Sequence, residues 1–372
     1  MSQLVRRAVR AAQPPPSVHV SPSPRLSDNG LSHDWCHAPC LVPERRPQVL
    51  DGFARFTELG STRTAGGVGP PVCHVFGNHE ASSVPRSELV PMLRLPASEH
   101  IPTEQGAAYY DVRFGPSTPQ NNYGGCAPEL LPAAGIHEAG PSSPPTVRLV
   151  ALDTYDVSTA GWPEGHPKRA AAAAMLATGR AAREEPFLDH PELNGGVGPE
   201  QLAWLETVLA DAAAVGEMVV VFSHAPLYPP VSMDGYAVCW NHAEVRAVLR
   251  DAGPTVVLCL SGHDHEGAMR VEWVPAGDPT HAICHLCLEA ALEAPVGEEC
   301  HGVLEIFEIF EIFEDKLIVR GAGGVKDRYM QIWRKDRSPP ASDAPRCRSG
   351  VAVAIKSTRC GEQGARLATG LR

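Results

Sequence analysis

Residues 256–267 read VVLCLSGHDHEG. Five consecutive apolar residues open the stretch, and such a short unbroken run reads as a strand buried on both faces. It ends in Ser261-Gly262, and then His263 and His265 follow with a single residue between them. The C-terminal ends of strands are where layered α/β sheets place their ligands. A glycine at position 262 lets the backbone turn sharply, so two imidazoles one residue apart can face neighbouring metal ions. Alone, a His-x-His in a loop is more often plain surface chemistry.

The same arrangement occurs twice more. VVVFSHAPLYPP (219–230) is an apolar run ending in His224 and a proline-rich turn, and VCHVFGNHEASS (72–83) ends in Gly77-Asn78-His79-Glu80. In a parallel sheet three such ends lie along one edge, where their side chains can meet. Convergent polar groups at strand ends mark binding sites.

Around these runs the chain alternates between strand and helix. VRLVAL (147–152) adds a fourth buried strand. Pro199 opens PEQLAWLETVLADA, with Leu202, Leu205 and Leu209 at helical spacing, and NHAEVRAVLRDAGP repeats the pattern with Val245, Val248 and Leu249 before a Gly-Pro stop. The Ala-rich segment 168–183 reads as a third helix. Strands alternating with helices imply an α/β layered domain. EIFEIFEIFE (305–314) repeats every three residues, which suits neither a strand nor a helix. Its flanks, GVLEIF and DKLIVRGAG, read as two strands of a hairpin that the repeat lengthens or bulges.

Composition narrows the function. The chain has 372 residues, a net charge of −11 and a 43% hydrophobic content, which is enough for a large core. An acidic balance argues against nucleic acid as a partner. The sequence has no apolar run of the ~20 residues that a membrane span needs. Eleven irregularly spaced cysteines without a signal-peptide core read as reduced thiols in a cytoplasmic protein. HDWCHAPC (33–40) and HAICHLC (281–287) each hold Cys and His at short spacing, but neither is followed by the second pair that a zinc site requires. Residues 1–50 carry Arg6, Arg7 and Arg10 ahead of the first acid, Asp28, and then a Pro/Ser-rich stretch. That composition suits a disordered arm, an organelle transit peptide or a mistaken first exon. Residues 331–372 hold nine Lys/Arg against three acids and read as a basic, disordered tail, leaving 51–330 as the domain.

GNHE, SHAP and GHDH, in this order and each after a strand, resemble the last three signature blocks of the calcineurin-like metallophosphoesterases. AYYDV (108–112), ALDTYDVS (151–158), ELNGGVGPEQLAWLETVL (192–209), CWNH (239–242), LCLEAALEAP (286–295) and RGAGGVKDRYM (320–330) resemble, within that family, the manganese-dependent ADP-ribose/CDP-alcohol diphosphatases. The resemblance implies an α/β fold of the metallophosphoesterase type, a central β-sandwich flanked by helices. It also implies a site with two divalent metals, manganese suiting oxygen and imidazole donors. Asn78, His224 and His263 would ligate one metal and His265 the second. His79 would act as a general acid or as a cation beside the leaving oxygen. Glu80 and Asp264 would lie behind the ligands or face solvent. The implied substrates are small nucleoside diphosphate conjugates such as ADP-ribose, CDP-choline and CDP-glycerol, with Trp240 and Tyr228 as candidate stacking partners for a base.

Two further blocks of that family, a strand ending in Asp-x-Gln and a Gly-Asp-x-x-Asp, are not intact. Residues 47–52 read PQVLDG, and Gln48 falls where a bridging carboxylate belongs. This leaves open a gene model altered at its start, a nucleotide-binding relative with impaired catalysis, or Asp28, Asp34 or Asp51 reaching the site by another path. Another phosphodiesterase or phosphomonoesterase of the same fold is a further alternative.

Overall fold

A computed structural model describes residues 72–93, 95, 98, 100, 106–114, 146–182, 193–232, 237–274, 281–289, 300–309, 314–323 and 325–332, and short strands at 18–21, 25–26, 63–64, 67–68, 351–356 and 359–360. In chain order the strands are β1 (Val18–Ser21), β2 (Arg25–Leu26), β3 (Arg63–Thr64), β4 (Gly67–Val68), β5 (Val72–His74), β6 (Tyr110–Phe114), β7 (Val147–Leu152) and β8 (Met218–Ser223). They continue as β9 (Val256–Ser261), β10 (Ala268–Trp273), β11 (Ala282–Cys287), β12 (Cys300–Ile309), β13 (Glu314–Gly323), β14 (Arg328–Ile332), β15 (Val351–Lys356) and β16 (Arg359–Cys360). The helices are α1 (Asn78–Ser83), α2 (Arg86–Leu93), α3 (Pro167–Ala182), α4 (Pro199–Ala214) and α5 (His242–Asp251).

Among the described residues two six-stranded sheets form, with orders β10-β11-β9-β8-β7-β6 and β14-β13-β12-β15-β1-β5. β7, β8 and β9 run parallel, and α4 and α5 supply the crossovers between them. Their runs are unbroken in the sequence because each face meets a different core. Leu149, Ala151, Val220, Phe222, Leu258 and Leu260 join Cys73, Val75 and Met330 of the second sheet, which is the interior of the sandwich. The alternate residues Val150, Leu152, Val219, Val221 and Cys259 pack instead on Leu205, Leu209, Val245 and Leu249 of α4 and α5. Each of these buried aliphatic side chains is worth roughly 1.5–3 kcal/mol against exposure.

One charged residue sits inside this framework. Arg148 points out of β7 near its start, fully buried, and is held by Glu217 at 2.7 Å, Asp211 at 2.6 Å and Asp111 at 3.3 Å. Three acids around one guanidinium offset its desolvation, which is what allows a charge in an otherwise apolar strand.

The expected elements form with some shifts. α4 begins at Pro199 as expected, but its buried face is Gln201, Trp204, Leu205, Val208, Leu209 and Ala212, which leaves Leu202 on the rim. β12 and β13 pair antiparallel from Cys300↔Gly323 to Ile309↔Glu314, so the first part of the EIF repeat lengthens a strand. β1, inside the first 50 residues, pairs parallel with both β15 and β5, while β15 lies in the segment expected to be disordered. VAVAIK (351–356) alternates apolar residues at the strand period, and that local pattern outweighs the basic composition of the surrounding tail. Asp28, Asp34, Gln48 and Asp51, with the first Cys/His cluster, lie outside the described residues.

Burial in the sandwich also sets an acid limit. His74, at the end of β5, is buried, and desolvation lowers its pKa to about 4. His285 on β11 is lowered too, by burial that outweighs its bond to Glu272. Both rings fold neutral. The unfolded chain therefore binds more protons between about pH 4 and the ordinary histidine value near 6.5, and stability must fall as pH drops through that window. We expect His74 alone to account for about 2 kcal/mol between about pH 7.5 and pH 5.0. Urea midpoints at pH 7.5 and 5.0 measure it, and His74→Leu should flatten the dependence.

Candidate metal centre

The three His-bearing strand ends do meet, though not along one sheet. β8 and β9 are neighbours in the first sheet, whereas β5 belongs to the second. The site is therefore a seam between the sheets. Asn78 opens α1 immediately after the turn that follows β5, and its Oδ1 lies 3.0 Å from His224 Nε2. The His224 and His263 rings are 5.0 Å apart between centroids. Asn78 and His224 are both buried.

Each loop is fixed by local chemistry. Ser223 Oγ donates to Ala225 O at 2.8 Å, and Ala225 N donates to Thr154 Oγ1 at 3.1 Å, which ties the β8 end to the β7 end. Gly262 N donates to His224 O at 3.0 Å, so the β8 and β9 turns share a backbone bond. His263 adopts a φ of +70°, and Asp264 N donates back across it to Gly262 O at 2.8 Å. A hydrogen bond spanning one residue of positive φ defines a γ-turn of the rare, strained kind.

Two residues absent from the expected ligand set complete the pocket. Tyr155 packs its ring against His224 at 5.8 Å and edge-on to His263 at 6.5 Å, and Asn194 Oδ1 lies 2.9 Å from His263 Nε2. Their signal was present in ALDTYDVS and ELNGG, which resembled the subfamily without suggesting contact with the histidines. Gly195 shows why the two stretches fit together. A Cβ there would lie 2.5 Å from Thr154 O and 2.9 Å from Tyr155 Cα. Gly195→Ala should therefore displace Asn194 and Tyr155, costing about 1–3 kcal/mol of stability, measurable as a lower urea midpoint with a parallel loss of manganese affinity.

The acids of this region are already committed. Asp153 pairs with Arg86, Asp156 with Lys168 at 2.8 Å, and Asp264 accepts from Ser232 Oγ at 3.0 Å and Glu266 N at 3.1 Å. Glu80 is buried and so does not face solvent. His79 and His265 are half-buried. Among the described residues no three His, Cys, Asp or Glu side chains cluster as a metal site, so His265 does not close with His224 and His263 into a three-imidazole group. Tyr228 is engaged elsewhere. Arg246 lies over its ring at 4.6 Å and His285 packs on it at 4.6 Å, so it serves as packing and not as a free stacking surface.

HAICHLC becomes β11, with Cys284 and Cys287 buried and His285 Nε2 bonded to Glu272 at 2.9 Å. Burial pushes the Cys287 thiol up to about 12, so it remains protonated.

The donor set fits one divalent cation. Two ligands about 2.1 Å from an octahedral ion and at right angles stand about 3.0 Å apart. That is the separation of Asn78 Oδ1 and His224 Nε2. One amide oxygen with imidazole nitrogens suits a metal of intermediate softness.

A solved dimetal phosphatase from Danio rerio superposes with a TM-score of 0.53 at 23% identity, covering 77% of this chain and 78% of that one. No family model matches the chain. Curated proteins named manganese-dependent ADP-ribose/CDP-alcohol diphosphatase do. The rice protein (Oryza sativa subsp. japonica) is 34% identical over 291 residues, 76% of this chain and 71% of its own length. The Arabidopsis thaliana protein is 34% identical over 246 residues, 64% of this chain and 65% of its own length. The mouse protein is 28% identical over 281 residues, 72% and 69% of the two chains. The chain belongs to the manganese-dependent ADP-ribose/CDP-alcohol diphosphatase family. It spans about two thirds of the length of these relatives.

Proposed function

We propose that the protein is a metal-dependent hydrolase of the phosphoanhydride bond in ADP-ribose and CDP-alcohols, releasing a nucleoside monophosphate and a phospho-sugar or phospho-alcohol. The observation that carries this reading is the meeting of Asn78, His224 and His263 at the sheet seam. Two divalent cations, manganese in the names of the relatives, would polarise the phosphate and lower the pKa of an attacking water. Asn78, His224 and His263 would hold one cation, and His265 would contribute to the second. Asn194 orients the His263 ring, and the Tyr155 ring beside His224 and His263 keeps water from their far faces. His79, beside Asn78 on the first turn of α1, protonates the leaving phosphate oxygen or steadies its charge. The net charge of −11 makes nucleic acid an unsuitable substrate, and a local cation offsets it for a small anionic one. Among the described residues no helix is long and apolar enough to cross a membrane, and we place the protein in the cytoplasm.

The test is product analysis with the full chain and added manganese. ADP-ribose should give AMP and ribose 5-phosphate, CDP-choline should give CMP and phosphocholine, and EDTA should stop both. Cleavage of simple phosphomonoesters or phosphodiesters alone would assign the site to another activity of the fold. The neutral ligand set Asn78, His224 and His263 favours one second reading, a relative that binds nucleotides without turnover. Nucleotide binding with no product from either substrate would establish that reading.

A further inference from the structure

The strained turn at His263 is braced from below by segments that the reaction itself does not use. Cys287, the last residue of β11, donates its thiol to Gly262 O at 3.0 Å and lies 3.4 Å from Asp264 O. Those are the carbonyls on either side of His263. The next residue continues the bracket, with Leu288 N donating to Ser261 O at 2.9 Å. At the exit of the turn Gly267 has a φ of +66°, and a Cβ there would fall 2.8 Å from Glu289 N and 2.9 Å from Glu289 Cδ. Glu289 is buried and paired with Arg328 of β14, which also donates to Lys326 O at 3.0 Å. One continuous path thus joins the β13–β14 hairpin to Glu289, to Cys287 and to the turn.

We infer that Cys287, backed by Glu289 and Arg328, is a positioning residue that holds His263 in its left-handed conformation and aims its ring at the seam. The inference rests on the reading of His263 as a metal ligand. It gives a role to residues of two sequence blocks, Cys287 and Glu289 in one and Arg328 in the other. A non-glycine residue of positive φ persists only where its surroundings over-determine it. Here the restraints are the Gly262 N bond to His224 O on one side and the Cys287 thiol on the other. Without the thiol, Gly262 O keeps its bond from Asp264 N but loses the sulfur donor, Asp264 O loses its sulfur contact, and the turn relaxes toward negative φ, which swings the ring away from Asn194 and His224.

The test compares the full-length protein with Cys287→Ala, Cys287→Ser and Arg328→Gln. Manganese affinity is read by the EPR signal of the free ion, and the His263 ring by long-range nitrogen–proton NMR of the metal-free protein. Loss of groups that orient ligands costs about 10–100-fold in metal affinity. Cys287→Ala should fall in that range, Cys287→Ser should recover most of it because it keeps a donor, and Arg328→Gln should lie between them. The His263 resonances should move in Cys287→Ala while those of His74 stay in place. Unchanged His263 resonances, or manganese binding equal to the parent protein, would overturn the inference. If the alanine variant does not fold, Arg328→Gln decides on the same two readouts. A parent protein that binds no manganese would overturn the functional reading instead, and the metal-free NMR comparison would still decide the positioning role.

Discussion

Replacing His224 with alanine should lower manganese-dependent release of AMP from ADP-ribose by at least about 10³-fold, because several kcal/mol of barrier lowering depend on a well-held cation. His224 is the hub of the seam: its Nε2 faces Asn78, its ring packs against both Tyr155 and His263, and its carbonyl receives Gly262 N. The substitution removes the ring and keeps the backbone bond, so the β8 and β9 turns stay joined and the protein should remain folded. Manganese binding and turnover should therefore fall together while the urea midpoint moves little. Turnover that survives the loss of this ring would place the chemistry elsewhere and remove the main support for the proposed function.

The second large effect is on stability. Arg86 and Asp153 are both buried and form an ion pair between α2 and the end of β7. Arg86 also donates to Tyr155 O at 3.2 Å and lies between the rings of Phe76, at 4.3 Å, and Trp162, at 4.6 Å. Asp153 has its backbone clamped by Gln201, accepting at 2.9 Å and donating at 3.0 Å, and its carboxylate caps Tyr155 N at 2.9 Å. Arg86→Met keeps most of the packing volume but leaves a buried carboxylate without its counter-charge, which costs about 3–5 kcal/mol. In a chain of this size that corresponds to a fall of about 4–8 °C in Tm, measurable by calorimetry. The double variant Arg86→Met with Asp153→Asn should recover part of the loss, since the uncompensated charge is then gone. A single variant as stable as the parent would mean that the pair is solvated in solution. Tyr155 links this pair to the site, so Arg86→Met should also weaken manganese binding.

Much of the site was legible because its residues follow strands whose burial on both faces makes them unmistakable runs. VVLCL, MVVVF and VCHVF each point to a following histidine or asparagine, and hydrophobic periodicity alone places those residues at strand ends. Asn194 and Tyr155 were not legible as site residues. They come from loops, and no periodicity says that residue 194 lies against residue 263. The Cys287 bracket was hidden for the same reason, since a thiol inside an apolar strand looks like core until the carbonyls it meets are known. The strand at Val351–Lys356 was not legible from composition, because a six-residue strand leaves little trace in a 42-residue average.

Local patterns in the chain thus determine the strands, the helices between them and the three polar turns, because each depends on neighbours within a few residues. Tertiary structure alone decides that β5 sits in one sheet while β8 and β9 sit in the other, so that Asn78 approaches His224 across a seam. Sheet assignment is settled by pairing between residues far apart in sequence. The groups that meet the left-handed turn at His263 likewise come from His224 and Cys287, distant in the chain.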